Sequence, residues 1–107
     1  MLLIMRIVAI TACPTGIAHT YMAADALRKA AKKMGIYIKV ETQGAMGIEN
    51  ELNATDICHA DIVLIASDIE IEHRDRFTGN KIHCATIEEV LIDVNSVLTC
   101  CQHKCKC

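Results

Sequence analysis

The sequence is poor in aromatic residues. Only 3% of its 107 residues are aromatic, and Trp is absent. Hydrophobic residues nevertheless make up 52% of the chain, so the core must be built from Ile, Val, Leu, Ala and Met. A chain of this length is the usual size of one domain and can bury a modest core.

An excess of positive charge and long apolar runs are also missing. The net charge is -2, which argues against nucleic acid binding because a phosphate backbone requires a cationic face. No apolar run reaches the ~18 residues of a membrane-spanning helix. Residues 10–13 (ITAC) follow an apolar N-terminal segment and resemble a lipoprotein cleavage box. However, Arg6 interrupts the apolar segment, which is also too short for a signal peptide. We therefore expect a cytoplasmic protein.

Hydrophobic patterning predicts strands that alternate with helices. We expect strands at 3–10, 36–41, 61–66 and 81–84, helices at 17–34, 54–59 and from residue 86 onward, and an irregular or partly helical loop at 67–80. This order is typical of an α/β fold: a doubly wound, Rossmann-like three-layer sandwich in which a four-stranded, mainly parallel sheet has helices on both faces. We expect one domain over residues 1–98 and a separate tail over 99–107.

The most informative segment joins the first strand to the first helix. Its residues are Cys13, Pro14, Thr15, Gly16, Ile17, Ala18, His19 and Thr20. The N–H groups at a helix start lack partners within the helix, and the helix dipole adds positive potential there. The turn is therefore predicted to bind an anion without a cationic side chain. Gly16 lets the loop curve closely around the anion, and Pro14 stiffens the turn.

Cys13 is the candidate catalytic residue. A thiol beside a helix N-terminus has a lowered pKa, and its thiolate is a nucleophile suited to attack phosphorus where N–H donors hold the phosphoryl oxygens. The alternative is that Cys13 is a small buried hydrophobe. Thiol phosphatases resemble this arrangement but have an Arg where this sequence has His19. We therefore expect a site that accepts a phosphoryl group without driving its hydrolysis, with His19 either a phosphate contact or a helix surface residue.

The segment at 13–20 resembles the signature of the fructose-family IIB component of the bacterial phosphoenolpyruvate-dependent sugar phosphotransferase system. Further similarity lies at 21–24 (YMAA), 40–44 (VETQG), 47–52 (GIENEL), 60–66 (ADIVLIA) and 76–77 (RF). The resemblance covers roughly residues 4–98, most of the single domain. A signature of this length with a second matching block is far more specific than a lone glycine motif.

The resemblance implies a phosphocarrier that acts as a protein-phosphohistidine–sugar phosphotransferase. In that family the matching Cys receives phosphate from a histidine of a IIA domain and transfers it to sugar arriving through the membrane-embedded IIC protein. Cys13 would have this role here, with residues 14–20 as the phosphate loop and fructose or a fructose-like sugar as the substrate. The expected partners are the IIA phosphohistidine donor, the membrane IIC transporter at the inner membrane face, and the sugar. Nucleic acid, cofactor and metal are not expected.

Other polar residues are predicted to surround this site. Gln43 and Gly44 follow the second strand and should shape the site, because parallel strands end on one face; the alternative is a plain turn. Asp68 follows another strand and is either a site acid or a solvated loop carboxylate. The mixed-charge run at 70–76 is either a solvated loop or a docking surface for IIA or IIC.

The C-terminal tail, residues 99–107, lies outside the resemblance. Four of the seven Cys residues and one His lie in its last eight positions, but their spacing is not that of a zinc finger or ribbon. We expect a disordered terminus with oxidation-prone thiols. Two alternative functions stay open: a thiol hydrolase of the phosphatase or arsenate-reductase type, and a non-catalytic regulatory or metal-responsive module.

Overall fold

The centre of the fold is a five-stranded sheet with the strand order β3-β2-β1-β4-β5. The computed structural model describes residues 4–14 and 18–106. Every neighbouring pair of strands is parallel except β2 and β3, which are antiparallel. The strands are β1 Arg6–Ala12, β2 Tyr37–Gly44, β3 Gly47–Glu49, β4 Ile62–Ser67 and β5 Ile82–Ala85. The predicted α/β class with a mainly parallel sheet is confirmed.

The prediction of four strands is wrong by one strand. The additional strand, β3, lies between the predicted strand at 36–41 and the predicted helix at 54–59, where no strand is expected. Gly44 pairs with Gly47 across a tight turn, and Gly47 has a φ of 92°, which favours glycine. A strand of three residues is too short to show an alternating pattern, so only the glycines of the turn are recognisable in the sequence.

Helices cover both faces of the sheet. They are α1 Ala18–Met34, α2 Ala54–His59 and α3 Ile87–Lys106, with a 3-10 helix at Arg74–Phe77. The helices α1 and α3 pack on one face, and α2 and the 3-10 helix pack on the other. Within the described residues, no helix is both long and apolar enough to cross a bilayer.

The strand β1 contributes side chains to both cores. Ile7 and Ala9 belong to the cluster under α1 and α3, whereas Val8 and Ile10 pack in the cluster that contains Phe77 of the 3-10 helix. All four are at most 3% exposed. This accounts for the unbroken apolar run in the sequence, since a strand covered on both faces does not alternate.

The expectation of a disordered tail is wrong for the described part of it. Helix α3 continues through residues 99–106. Cys101 is fully buried and extends the apolar stripe of Val94, Val97 and Leu98 at helical spacing. The helix bends at Asp93, whose φ of −149° and ψ of 74° are not helical. Asp93 instead caps the second segment, because its carboxylate accepts hydrogen bonds from the N–H and hydroxyl of Ser96.

Candidate functional site

Cys13 lies directly after the last residue of β1, at the carboxyl end of the sheet. Because β1 has β2 on one side and β4 on the other, this is the point where the strand order reverses. The Cys13 side chain is only 5% exposed. The hydroxyl of Thr20, a fully buried residue in the first turn of α1, donates a hydrogen bond to Cys13 Sγ over 3.1 Å. Such a bond favours the thiolate over the thiol.

Four positions of the predicted phosphate loop lie within the described residues. Pro14 is exposed beside Cys13, and Ala18 and His19 are exposed at the start of α1. Thr20 is brought to Sγ, so its hydroxyl contacts the nucleophile itself. The remaining three loop positions, Thr15, Gly16 and Ile17, lie outside the described residues.

A cleft of about 430 Å³ opens beside Cys13. Its lining residues come from the ends of β1 and β2, the turn into β3, β3 itself and the segment after β4. Its lining includes Gln43 and Gly44, so these two predicted site residues do lie in the same cleft as Cys13. Among the described residues, those that line the cleft are Cys13, Pro14, Gln43, Gly44, Ala45, Gly47, Ile48, Ile69, Glu70 and Glu72, and none of them is Lys or Arg.

A buried ion pair lies next to the cleft. Glu41 in β2 is fully buried, and both of its carboxylate oxygens accept hydrogen bonds from the Arg76 guanidinium, at 2.6 and 2.8 Å. The Leu52 N–H donates to Glu41 Oε1 over 2.9 Å. Burial alone would raise the pKa of Glu41, but the hydrogen bonds from Arg76, Gln43 and the Leu52 N–H outweigh it and hold the pKa below its ordinary value of 4.5.

Gln43 joins this ion pair to the wall of the cleft. Its Nε2 donates to Glu41 Oε2 over 2.7 Å and to the Glu72 carbonyl over 3.1 Å. Its Oε1 accepts from the Glu72 N–H over 2.8 Å. Gln43 is therefore more than part of a plain turn, because its amide holds the backbone of Glu72, another residue that lines the cleft.

The sequence reasoning missed the roles of Glu41, Arg76 and the pair formed by Tyr21 and Glu49. A charged residue inside an apolar strand was the available signal for Glu41, but nothing pointed to a partner 35 positions away. The Tyr21 hydroxyl donates to Glu49 Oε1, which ties α1 to β3 beside the cleft. This hydrogen bond to a carboxylate raises the pKa of Tyr21.

Asp68 and the charged run lie at the same end of the sheet. The Asp68 carboxylate accepts from the Ile87 N–H at the start of α3, so it caps a helix. Within residues 70–76, Glu70 and Glu72 line the cleft, whereas Arg76 points inward to Glu41. The described side chains include no group of three or more His, Cys, Asp or Glu placed to hold a metal ion. The side chain of Cys105 and the whole of Cys107 lie outside the described residues.

Comparisons with known proteins agree on one family. The family model described as "PTS system, Lactose/Cellobiose specific IIB subunit" matches residues 8–100. The "PTS system fructose-like EIIB component 2" of Escherichia coli (strain K12) is 47% identical over 94 residues, which are 88% of this chain and 89% of that protein. The "PTS system fructose-specific EIIABC component" of Bacillus subtilis (strain 168) is 51% identical over 77 residues, which are 72% of this chain but 12% of that longer protein.

A solved structure is similar over nearly the whole chain. The crystal structure of a "predicted fructose specific IIB" from Escherichia coli superposes with a TM-score of 0.93 at 36% sequence identity. The match covers 97% of this chain and 92% of that one. The sequence and structural comparisons therefore point to the same kind of protein.

Proposed function

Because the chain belongs to the IIB components of the bacterial sugar phosphotransferase system and is a phosphocarrier in sugar uptake, we propose that Cys13 is the residue that carries the phosphoryl group. The observation that supports this most directly is the position of Cys13 Sγ. It lies at the end of the central strand, beside an open cleft, and accepts a hydrogen bond from Thr20.

The first transfer takes phosphate from a IIA phosphohistidine. The Cys13 thiolate attacks phosphorus, an S–P bond forms, and the P–N bond to the donor imidazole breaks. The electron pair of that bond stays on the imidazole nitrogen. The hydrogen bond from Thr20 favours the thiolate, and N–H groups at the start of α1 are suited to hold the phosphoryl oxygens.

The second transfer passes the group to a sugar. A sugar hydroxyl oxygen attacks phosphorus, the S–P bond breaks, and the Cys13 thiolate leaves while the hydroxyl proton goes to solvent or to a base of the partner. Fructose or a fructose-like sugar is the proposed acceptor, delivered by a IIC transporter at the cytoplasmic face of the membrane. The fructose names of the relatives support this sugar, and the longer relative named as an EIIABC component supports work with A and C partners.

Transfer rather than hydrolysis fits the charges around Cys13. Segment 13–20 contains no Lys or Arg, and the described residues that line the cleft include neither. Arg76 is paired with the buried carboxylate of Glu41 and is not directed at the thiol. A site without a guanidinium clamp stabilises attack by water on the phosphocysteine poorly, so the group survives until an acceptor arrives.

Replacement of the thiol tests the proposal. Cys13→Ser should abolish phosphoryl acceptance and leave the fold intact, whereas the exposed thiols Cys58 and Cys84 should be replaceable by Ser without loss of acceptance. The measurement is intact mass with peptide mapping, after incubation with phosphoenolpyruvate, the general phosphotransfer proteins and a fructose-type IIA. A phosphoryl group on Cys13 that disappears when fructose and IIC-containing membranes are added supports the proposal. A group mapped to another residue would contradict it.

A further inference from the structure

Residues 68–73, here called the strap, follow β4 and contribute to the wall of the cleft. Ile69, Glu70 and Glu72 of the strap line the cleft. The Gln43 amide holds both backbone groups of Glu72: Oε1 accepts from its N–H over 2.8 Å, and Nε2 donates to its carbonyl over 3.1 Å. One side chain of β2 thus forms the two hydrogen bonds that a neighbouring strand would otherwise form with the strap.

The buried ion pair determines which way round the Gln43 amide lies, with its nitrogen or its oxygen toward Glu41. The Glu41 carboxylate only accepts hydrogen bonds, so the group that faces its Oε2 at 2.7 Å must be the amide nitrogen of Gln43. The Gln43 oxygen must then face the Glu72 N–H. Glu41 in turn is held by two hydrogen bonds from Arg76. The contacts form a continuous chain from Arg76 through Glu41 and Gln43 to the strap.

The same contacts argue against Gln43 as a direct phosphate ligand. A glutamine amide has two N–H donors, and in Gln43 one is used by Glu41 and the other by the Glu72 carbonyl. Neither remains for a phosphoryl oxygen. Gln43 therefore acts on phosphoryl transfer through the groups that it holds, and of these the strap is the one that lines the cleft.

We propose that Gln43, with Glu41 and Arg76 behind it, is a positioning residue that sets where the acidic strap lies relative to Cys13. The inference rests on the proposed function, since it concerns transfer of a phosphoryl group to Cys13. The strap presents Glu70 and Glu72 to the cleft, and the incoming phosphoryl group is also negative. Repulsion between like charges rises as their distance falls, so a strap that moves toward Cys13 opposes transfer. A fixed strap keeps the cleft open to the donor.

The test replaces Gln43 by Met, which has a similar length and no hydrogen-bonding amide. In Gln43→Met we expect the Glu72 amide to lose hydrogen-exchange protection about tenfold, while the Leu52 amide, held by Glu41, keeps its protection. The rate of phosphoryl acceptance at saturating IIA should fall about tenfold, with a much smaller change in the half-saturating donor concentration. The matched control is Met46→Ala, since Met46 is 80% exposed in the adjacent turn and lies outside these contacts.

The outcomes distinguish failure of this inference from failure of the proposed function. Unchanged protection of Glu72 in Gln43→Met would overturn the inference, and so would lost protection with unchanged transfer kinetics. Gln43→Asn is one methylene shorter and cannot reach both partners, so it gives the same test if the Met variant does not fold. Failure of the wild-type protein to take phosphate on Cys13 would overturn the proposed function and this inference together. If the wild-type protein takes phosphate on Cys13 and the Gln43 variants accept it at the wild-type rate, the inference alone is overturned.

Discussion

Among single side chains, Thr20 offers the most direct test of the environment of Cys13. Its hydroxyl donates to Cys13 Sγ over 3.1 Å in a buried setting. A hydrogen bond to a charged group contributes about 1.5–3 kcal/mol, and here it favours the thiolate. Thr20→Val should therefore shift the midpoint of the pH profile for Cys13 alkylation upward. Iodoacetamide alkylation followed by peptide mapping across a pH series measures this midpoint.

The conservative variant Thr20→Ser keeps the hydroxyl and should leave the midpoint near its wild-type value. The exposed thiol of Cys58 serves as an internal reference in the same samples, because it lies far along the chain on α2. An unchanged midpoint in Thr20→Val would show that the hydroxyl does not stabilise the thiolate.

Side chains at strand ends were more predictable than the contacts behind them. Cys13 and Gln43 both follow from the rule that parallel strands end on one face, and the structure places them in one cleft. The pairing of Glu41 with Arg76 depends on how a distant loop folds back over β2, and local sequence does not specify that. The sequence predicts Thr20 as part of a phosphate loop, whereas the contact of its hydroxyl with Sγ depends on the angle at which α1 leaves the turn.

Among helices and strands, the long patterned segments were predictable and the short ones were not. The buried strands β1 and β4 have uniform apolar runs, and α1 has a clear helical stripe. The three-residue β3 has no pattern of its own, because pairing with β2 creates it. In α3 the many Cys residues suggested a reactive tail, although Cys101 packs in the core as a small hydrophobe.

The second segment of α3 depends on the cap at Asp93. Its carboxylate accepts from the Ser96 N–H over 3.2 Å and from the Ser96 hydroxyl over 2.7 Å. Asp93→Ala removes this cap, so amide exchange over residues 96–101 should increase about fivefold. Asp93→Asn keeps a side-chain oxygen and should exchange nearly as slowly as the wild type. Mass spectrometry measures this amide exchange. Equal exchange in the wild type, Asp93→Ala and Asp93→Asn would mean that packing of Cys101 and Leu98 alone holds the segment.

For the protein as a whole, the ion pair between Glu41 and Arg76 links stability to pH. The pKa of Glu41 in the folded state lies below its ordinary value of 4.5. A carboxyl group of this kind stabilises the fold above its unfolded-state pKa, and the contribution is lost as the pH falls through the folded-state pKa. The free energy of unfolding should therefore decrease progressively below about pH 4.5.

The variants Glu41→Gln and Glu41→Gln/Arg76→Met separate this contribution from the other carboxylates. At pH 7 the free energy of unfolding of the single variant should be about 3 kcal/mol lower than that of the wild type, because the largely buried Arg76 guanidinium is left without its counter-charge. The double variant should be destabilised less. Urea unfolding at pH 7 and at acid pH measures the free energy of unfolding. Its decrease on acidification should be smaller in both variants than in the wild type. Asp56, whose pKa the hydrogen bond from Lys39 lowers, contributes equally to all three proteins and cancels in the comparison. Parallel stability curves would mean that Glu41 keeps its charge state through the acid transition and does not link stability to pH.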